Sequence, residues 1–314
     1  MPLSLRRGAV SAVLEELDGL VRLEVDGTPC VAYPGLTGPV EVGDDVLVNS
    51  QARDLGLGSG GFDVLYANLT RGLGLPPEAG AHVMKLPYTT LQLAARHVEE
   101  TEPLAETLAG MPVVCCSLHS QLAPACAGIG EGARVAYVQL PGGALPVPLS
   151  DAVRALKKRE LLEVTVSVGA CVGGDVSAVS AASALAWACA AGFGAVVCAV
   201  GPGIVGTASS LGHGGLAAVQ AANAATALGG RAVVALRVSD TDPRDRHRGL
   251  SHHSEAVLDL CLEDILVADE ADAEGWREAC GDLPLSHMGR GPDEDPAFFA
   301  ASYAAGRLAR RLLG

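Results

Sequence analysis

Apolar and polar residues alternate with a period of two over the first part of the chain, and each alternating run ends at a turn signal. GAVSAVLEE and LVRLEVDG are strand-like runs on either side of Asp18-Gly19. Asp26-Gly27 marks the next turn before TPCVAYP, and GPVEVGDDVLVN continues the pattern with Gly-Asp at its bend. FDVLYANL reads as the last strand of this set, and GLGSGG at residues 56–61 as a loop at the rim. Several short strands at this spacing predict a small antiparallel β-barrel over residues 1–75, ending before the loop GLGLPPEAG.

Over residues 76–314 the pattern becomes strand, glycine-rich loop, helix. MPVVCCSL ends in His119-Ser120-Gln121, and ARVAYVQL in Pro141-Gly142-Gly143. LEVTVSVGACVGG leads into a long Ala-rich helix expected to start near Asp175. GAVVCAV ends in GPGIVG, and RAVVALRV in DTDPRDRHRGLSHHS. Five such units predict an α/β domain with a mainly parallel sheet. Ligands bind such sheets in the loops at the carboxyl ends of the strands. The fold therefore brings the His119 loop, the Gly173-Gly174-Asp175 turn, GPGIVG and the histidine-rich segment toward one edge.

No Asp, Glu, Lys or Arg occurs between Asp175 and Arg231, and the window 181–200 is long enough to cross a bilayer. Its Ala, Ser, Gly and Cys content, broken at Gly192 and Gly194, fits a helix packed on a buried strand better than a membrane span. With 49% hydrophobic and 18% charged residues the chain is globular. A net charge of -14 argues against nucleic acid and anionic membrane as partners. An anionic ligand would therefore need a local positive pocket. Nine cysteines without a C-x-x-C pair read as buried, reduced thiols of a cytoplasmic protein, with Cys171 the best candidate for a reactive one. MPLSLRRG is not followed by the apolar run of a signal peptide.

The segment at residues 240–254 concentrates chemistry that the rest of the chain lacks: Asp240, Asp242 and Asp245, Arg244, Arg246 and Arg248, and His247, His252 and His253. Asp240, Asp242 and the three histidines could ligate a divalent transition metal, although no spacing such as H-E-x-x-H is present. Alternatively the arginines grip a phosphate or carboxylate while a histidine, helped by Asp245, moves protons. A salt-bridged surface loop would show the same alternation of charge. Gly201, Gly203 and Gly206 match G-x-G-x-x-G after a strand, but no acid follows at the ribose-binding distance. An anion loop using backbone N–H groups with Thr207, Ser209 and Ser210 remains, as do glycines serving only close packing. His119 and Ser120 could form a polar pair in the same cleft, or simply cap a helix. Gly173 and Gly174 precede Asp175, which suits either ligand binding or an N-cap. Ser183 and Trp187 sit at helical spacing and belong to the core. Neither a G-x-S-x-G elbow nor a phosphate loop of the G-x-x-x-x-G-K-[ST] type occurs.

VGDDVLVN, GLGSGG, HVMKLPYTTLQ, LHSQLAP, GGALPVPLSD, GGD, GPGIVGTAS, DPRDRHRGLSHHS and MGRGPDEDPAFF together resemble the bacterial family called domain of unknown function 3866, over nearly the whole chain. The resemblance implies no reaction, because the family is uncharacterised. The family tends to show Thr-Asp where this chain has Leu140-Pro141, and Gly-His-Ala-Phe at residues 169–172, where it has Gly169-Ala170-Cys171-Val172. An acid and a histidine are thus missing from two candidate loops, while the Arg-His-Arg-Gly-Leu-Ser-His-His run is intact. The expectation is a hydrolase or transferase acting on a small anionic or phosphorylated metabolite. The alternative is a non-catalytic metabolite-binding or homo-oligomeric assembly protein.

Overall fold

A computed structural model of the chain describes residues 3–56, 61–262 and 264–313. It divides into two compact units, Met1–Ala79 and Gly80–Gly314. Residues 57–60, the middle of the expected rim loop, lie outside the described residues.

In the first unit β1 (Leu5–Leu17), β2 (Leu20–Val25), β3 (Thr28–Ala32), β4 (Asp45–Asn49) and β5 (Asp63–Asn68) close a barrel in the order β1-β2-β3-β5-β4. Single helical turns, α1 (Pro34–Thr37) and α2 (Gln51–Asp54), flank β4. The alternation puts Val10, Leu23, Val25, Cys30, Val46, Val48 and Leu65 into the barrel core. The turn at Asp26-Gly27 needs positive φ at both residues, 49° and 73°, which an Asp-Gly pair tolerates. Four pairings are antiparallel and β3 with β5 is parallel, which is the strand order of an OB-type Greek-key barrel.

The second unit opens with the hairpin β6 (Val83–Lys85) and β7 (Leu93–Ala95) and the turn α3 (Val98–Thr101). Its centre is a six-stranded sheet of β8 (Pro112–Cys116), β9 (Val135–Leu140), β10 (Val164–Val168), β11 (Val176–Ala178), β12 (Ala195–Val200) and β13 (Arg231–Ala235). The order is β11-β10-β9-β12-β8-β13, with every pair parallel. Helices α4 (Leu122–Ile129) and α5 (Asp151–Lys158) cover one face, and α6 (Ala181–Ala190) and α7 (Ala217–Ala227) the other. After β13 come the short ladder β14 (Val238–Ser239) with β15 (Gly249–Leu250), then α8 (His252–Leu260), α9 (Trp276–Cys280) and α10 (Pro296–Leu312).

Successive residues of β8 serve opposite faces: Val114 and Cys116 pack toward α4 and α10, Val113 and Cys115 toward α6 and α7. Burial on both faces explains the continuous apolar runs. The uncharged run is thus α6, β12 and α7, and among the described residues no helix is long and apolar enough to cross a membrane. Asp175 does not open the Ala-rich helix. Residues 176–178 form the sixth strand, and α6 begins at Ala181 behind a capping box in which the Ser180 hydroxyl accepts from the Ser183 N–H.

The chain leaves β8 through α4 toward β9, beyond β12, and leaves β12 through α7 toward β13, beyond β8. The loops after these two neighbouring strands therefore part in opposite directions and on opposite faces. This is the topological switch point at which open α/β sheets bind ligands.

Candidate functional site

Buried glutamines shape the carboxyl edge. Gln121 Nε2 donates to the Ala235 and Leu236 carbonyls, tying the loop after β8 to the end of β13. Gln139 Nε2 donates to the Ala144 and Leu145 carbonyls in the loop after β9. At Gly142 and Gly214 two loops cross backbone to backbone, and a Cβ on Gly214 would collide with the Gly142 backbone.

His119 sits in the switch-point crevice. Its Nδ1 lies 3.2 Å from the Val200 carbonyl, an acceptor only, so Nδ1 carries the proton and Nε2 accepts from the Ser150 hydroxyl at 2.7 Å. Ser150 also N-caps α5 by accepting from the Val153 N–H. Burial pushes the His119 imidazole down to about 4, against the Val200 contact that favours its protonation. Ser120 Oγ is 3.3 Å from His287 Nδ1, and the His287 ring stacks on Phe298 at 3.7 Å.

Arg237, 1% exposed, is the centre of the second half of the site. It follows β13, where the sheet ends and the chain turns into β14. Its Nη2 donates to Asp242, and its Nη1 donates to His253 Nδ1 at 3.3 Å. Asp242 is fully buried and also accepts from Arg244 Nε at 2.9 Å and Arg290 Nη2 at 3.1 Å. Arg290 further pairs with Asp295, which accepts from Ser239. Burial acts to raise the Asp242 carboxyl, but the hydrogen bonds and charge of Arg244 with Arg237 hold it far below the usual carboxylate range. Arg237 itself is pushed down to about 10 by burial and by Arg244. Three guanidiniums against two carboxylates leave one formal positive charge in excess.

Four histidines pack beside this cluster. His213 stacks on His253 with ring centroids 3.6 Å apart, His252 lies 4.5 Å from His253, and His247 lies 4.8 Å from both. Burial is the largest cause of a lowered imidazole at each, with nearby guanidiniums adding to it. His247 falls to about 3, His253 to about 2, His287 to about 3, and His213 and His252 also fall. His247, His253 and His287 are neutral at physiological pH. Among the described residues, the buried atoms Arg237 Nε, His252 Nε2, His253 Nε2, His287 Nε2 and Asp295 Oδ1 have no hydrogen-bond partner. A protein interior rarely leaves such groups unpaired.

The expected residues divide sharply. His247, His252 and His253 come together, with one nitrogen of each within 4.8 Å of the others, and His247 Nδ1 lies 2.7 Å from Ser251 Oγ. Neither Asp240 nor Asp242 joins them: Asp240 is exposed and Asp242 is occupied by arginines. Asp245, Arg246 and Arg248 are exposed, and Arg244 is turned onto Asp242. Of GPGIVG, Gly201 packs against the Ala144 carbonyl and Gly203 makes a turn at φ 67°. Gly206 bridges to His213 at the rim of the histidine cluster, while the Thr207 hydroxyl and N–H both go to the Gly212 carbonyl. Gly173, Gly174 and Asp175 are carried away from the carboxyl edge. The chain doubles back over β10, and Asp175 accepts from Thr165, near the start of that strand, and from Lys157. Cys171 is fully buried with its thiol pushed up to about 11, mainly by burial, so it carries no thiolate.

Sequence reasoning missed Arg237, His213, His287, Arg290 and Asp295. His287 and Arg290 are joined by a tight turn, each donating its N–H to the other's carbonyl across Met288 and Gly289, both at positive φ. The signal available was SHMGRGPDEDP, a second short segment mixing histidine, arginine, acid and glycine.

An α/β sheet domain following a five-stranded barrel, with a buried arginine–histidine cluster at the carboxyl edge of the sheet, defines the class of protein. The chain belongs to the family Protein of unknown function (DUF3866), whose model matches residues 29–280. No curated protein matches it.

Proposed function

We propose that this protein is an enzyme that hydrolyses, or transfers a group from, a small anionic metabolite, phosphorylated at the end held by the strand-end loops. The observation that carries this reading is the set of unpartnered buried polar atoms on Arg237, His252, His253 and His287 beside an excess positive charge. Donors left without acceptors inside a protein are stabilised when a ligand supplies the acceptors. Neutral imidazoles add proton transfer, since each ring has one N–H and one lone pair. His252 is the least enclosed of the cluster and the best placed to exchange protons with solvent.

The test is a thermal-shift screen of phosphorylated metabolites followed by assay of phosphate release from each stabilising compound. Turnover that falls in His252→Ala at unchanged melting temperature supports the proposal. Saturable binding with no turnover for any stabilising compound would reduce the protein to a binder, and a screen with no stabilising compound would remove both readings.

A further inference from the structure

The histidine cluster suits two ligands of opposite charge, a transition-metal cation or an oxyanion, and the directions of its hydrogen bonds separate them. Arginine has donors only, so the contact from Arg237 Nη1 makes His253 Nδ1 an acceptor. The neutral ring must then carry its proton on Nε2, the atom that lies buried without a partner. A metal needs a lone pair at that atom, and ligating histidines normally donate their other N–H outward to a carboxylate, carbonyl or water. Here the outward contact runs the wrong way and comes from a cation. Arg237 Nε–H, on the same guanidinium that touches His253, is a second buried donor with no acceptor.

The surroundings agree. The groups bearing on His253 are His213, Arg237, His247 and His252, none of them acidic. The buried carboxylate of Asp242 is engaged by Arg237, Arg244 and Arg290 and offers no vacant charge for a divalent ion. Asp295 Oδ1 is an acceptor left over, its other oxygen being bonded to Ser239 and Arg290, and it suits a hydroxyl hydrogen of the same metabolite.

We infer that the site grips a phosphoryl oxygen of its ligand directly, through His253 Nε2–H, with no metal ion between protein and oxyanion. The inference rests on the function proposed above and assigns the grip to His253, with Arg237 holding its ring in the donating tautomer. Arg244 is tied to Asp242, and Arg246 and Arg248 are exposed.

Glutamine separates the alternatives, because its amide can accept from Arg237 and still donate toward the ligand, as the neutral imidazole does. Inorganic phosphate binding to the full chain, measured by calorimetry with a chelator present, should persist in His253→Gln. It should weaken by roughly ten- to a hundredfold in His253→Leu, the loss expected for a hydrogen bond to a charged group. Zinc or manganese alone should show no stoichiometric uptake, and melting temperatures of both variants confirm folding. Phosphate binding that appears only after stoichiometric metal uptake, with Gln as damaging as Leu, overturns the inference and leaves the proposed function standing. Phosphate that binds with or without metal yet is indifferent to both variants places the grip elsewhere and overturns it as well. Failure of phosphate and of every phosphorylated metabolite to bind removes the inference and the functional reading together.

Discussion

Acid should unfold the α/β unit through its buried histidines before its carboxylates are protonated. His119, His247, His253 and His287 titrate in the folded chain at about 4, 3, 2 and 3, against 6.5 when exposed. A folded value below the unfolded one means that the unfolded chain binds more protons. The stability is therefore fully present above about pH 6.5 and is lost as pH falls from there toward the folded values. A pH of about 5 is roughly 1.5 units below the unfolded value of each site and still above the folded one, which amounts to about 2 kcal/mol per site at 1.36 kcal/mol per unit. Four sites would sum to about 8 kcal/mol, an upper figure because neighbouring rings share part of their shifts. Even half of that is comparable with the whole stability of an ordinary domain, about 5–15 kcal/mol. At about 2–4 °C per kcal/mol for a unit of this size, the melting temperature should fall by roughly 10–30 °C between about pH 7.5 and about pH 5. Calorimetry at constant ionic strength measures this, and His287→Asn should reduce the pH slope by about one proton. A melting temperature that moves by less than about 3 °C over the same interval would refute the reasoning, since it would mean that the histidines are solvated in the folded chain.

Asp242→Asn removes the carboxylate shared by three guanidiniums and should destabilise the unit by about 3–5 kcal/mol, read by urea unfolding at neutral pH. A change under about 1 kcal/mol would show that solvent already screens the cluster. Met288 is a half-exposed non-glycine residue at φ 51°, so Met288→Asn should raise stability by about 1 kcal/mol by relieving left-handed strain, and a loss would place its side chain in a contact that matters. A thiol reagent applied to the native protein should leave Cys171 unmodified until denaturant is added, and rapid native labelling at that residue by mass spectrometry would contradict its burial.

The architecture was legible because its signals are local and repeated. Period-two runs ending at Asp18-Gly19 and Asp26-Gly27 are enough to specify hairpins, and five apolar runs, each followed by a glycine- or histidine-bearing loop, are enough to specify parallel strands buried on both faces. The errors arose where local grammar was ambiguous. GGDVSAVS reads as a helix start because aspartate after glycine is a common N-cap. It folds instead as a return loop and a three-residue strand, since β10 needs a partner on its outer edge and Asp175 satisfies Thr165 there. The thirteen-residue strand β1 also pairs with both β2 and β4, and that closure, like the parallel contact of β3 with β5, leaves no mark on the pattern of any single strand.

The site was half legible for a physical reason that follows from charge. A segment dense in Arg, Asp and His announces itself, but a charge that stays on the surface and a charge that is buried look alike in sequence. What distinguishes them is the set of partners, and here one of them, Arg290, is distant in the chain. Asp242 becomes buried because Arg237 precedes it by one strand end and Arg290 returns from the turn before α10. Asp245, three residues from Asp242, pairs with the exposed Arg248 at 3.6 Å and stays in solvent. Arg237 was hidden by the opposite effect, since in RAVVALRV an arginine at the end of an apolar run reads as the point where the strand meets water. Its burial is tolerable only with Asp242 beside it, and the excess of one guanidinium over the available carboxylates is the feature that a ligand of negative charge would complete.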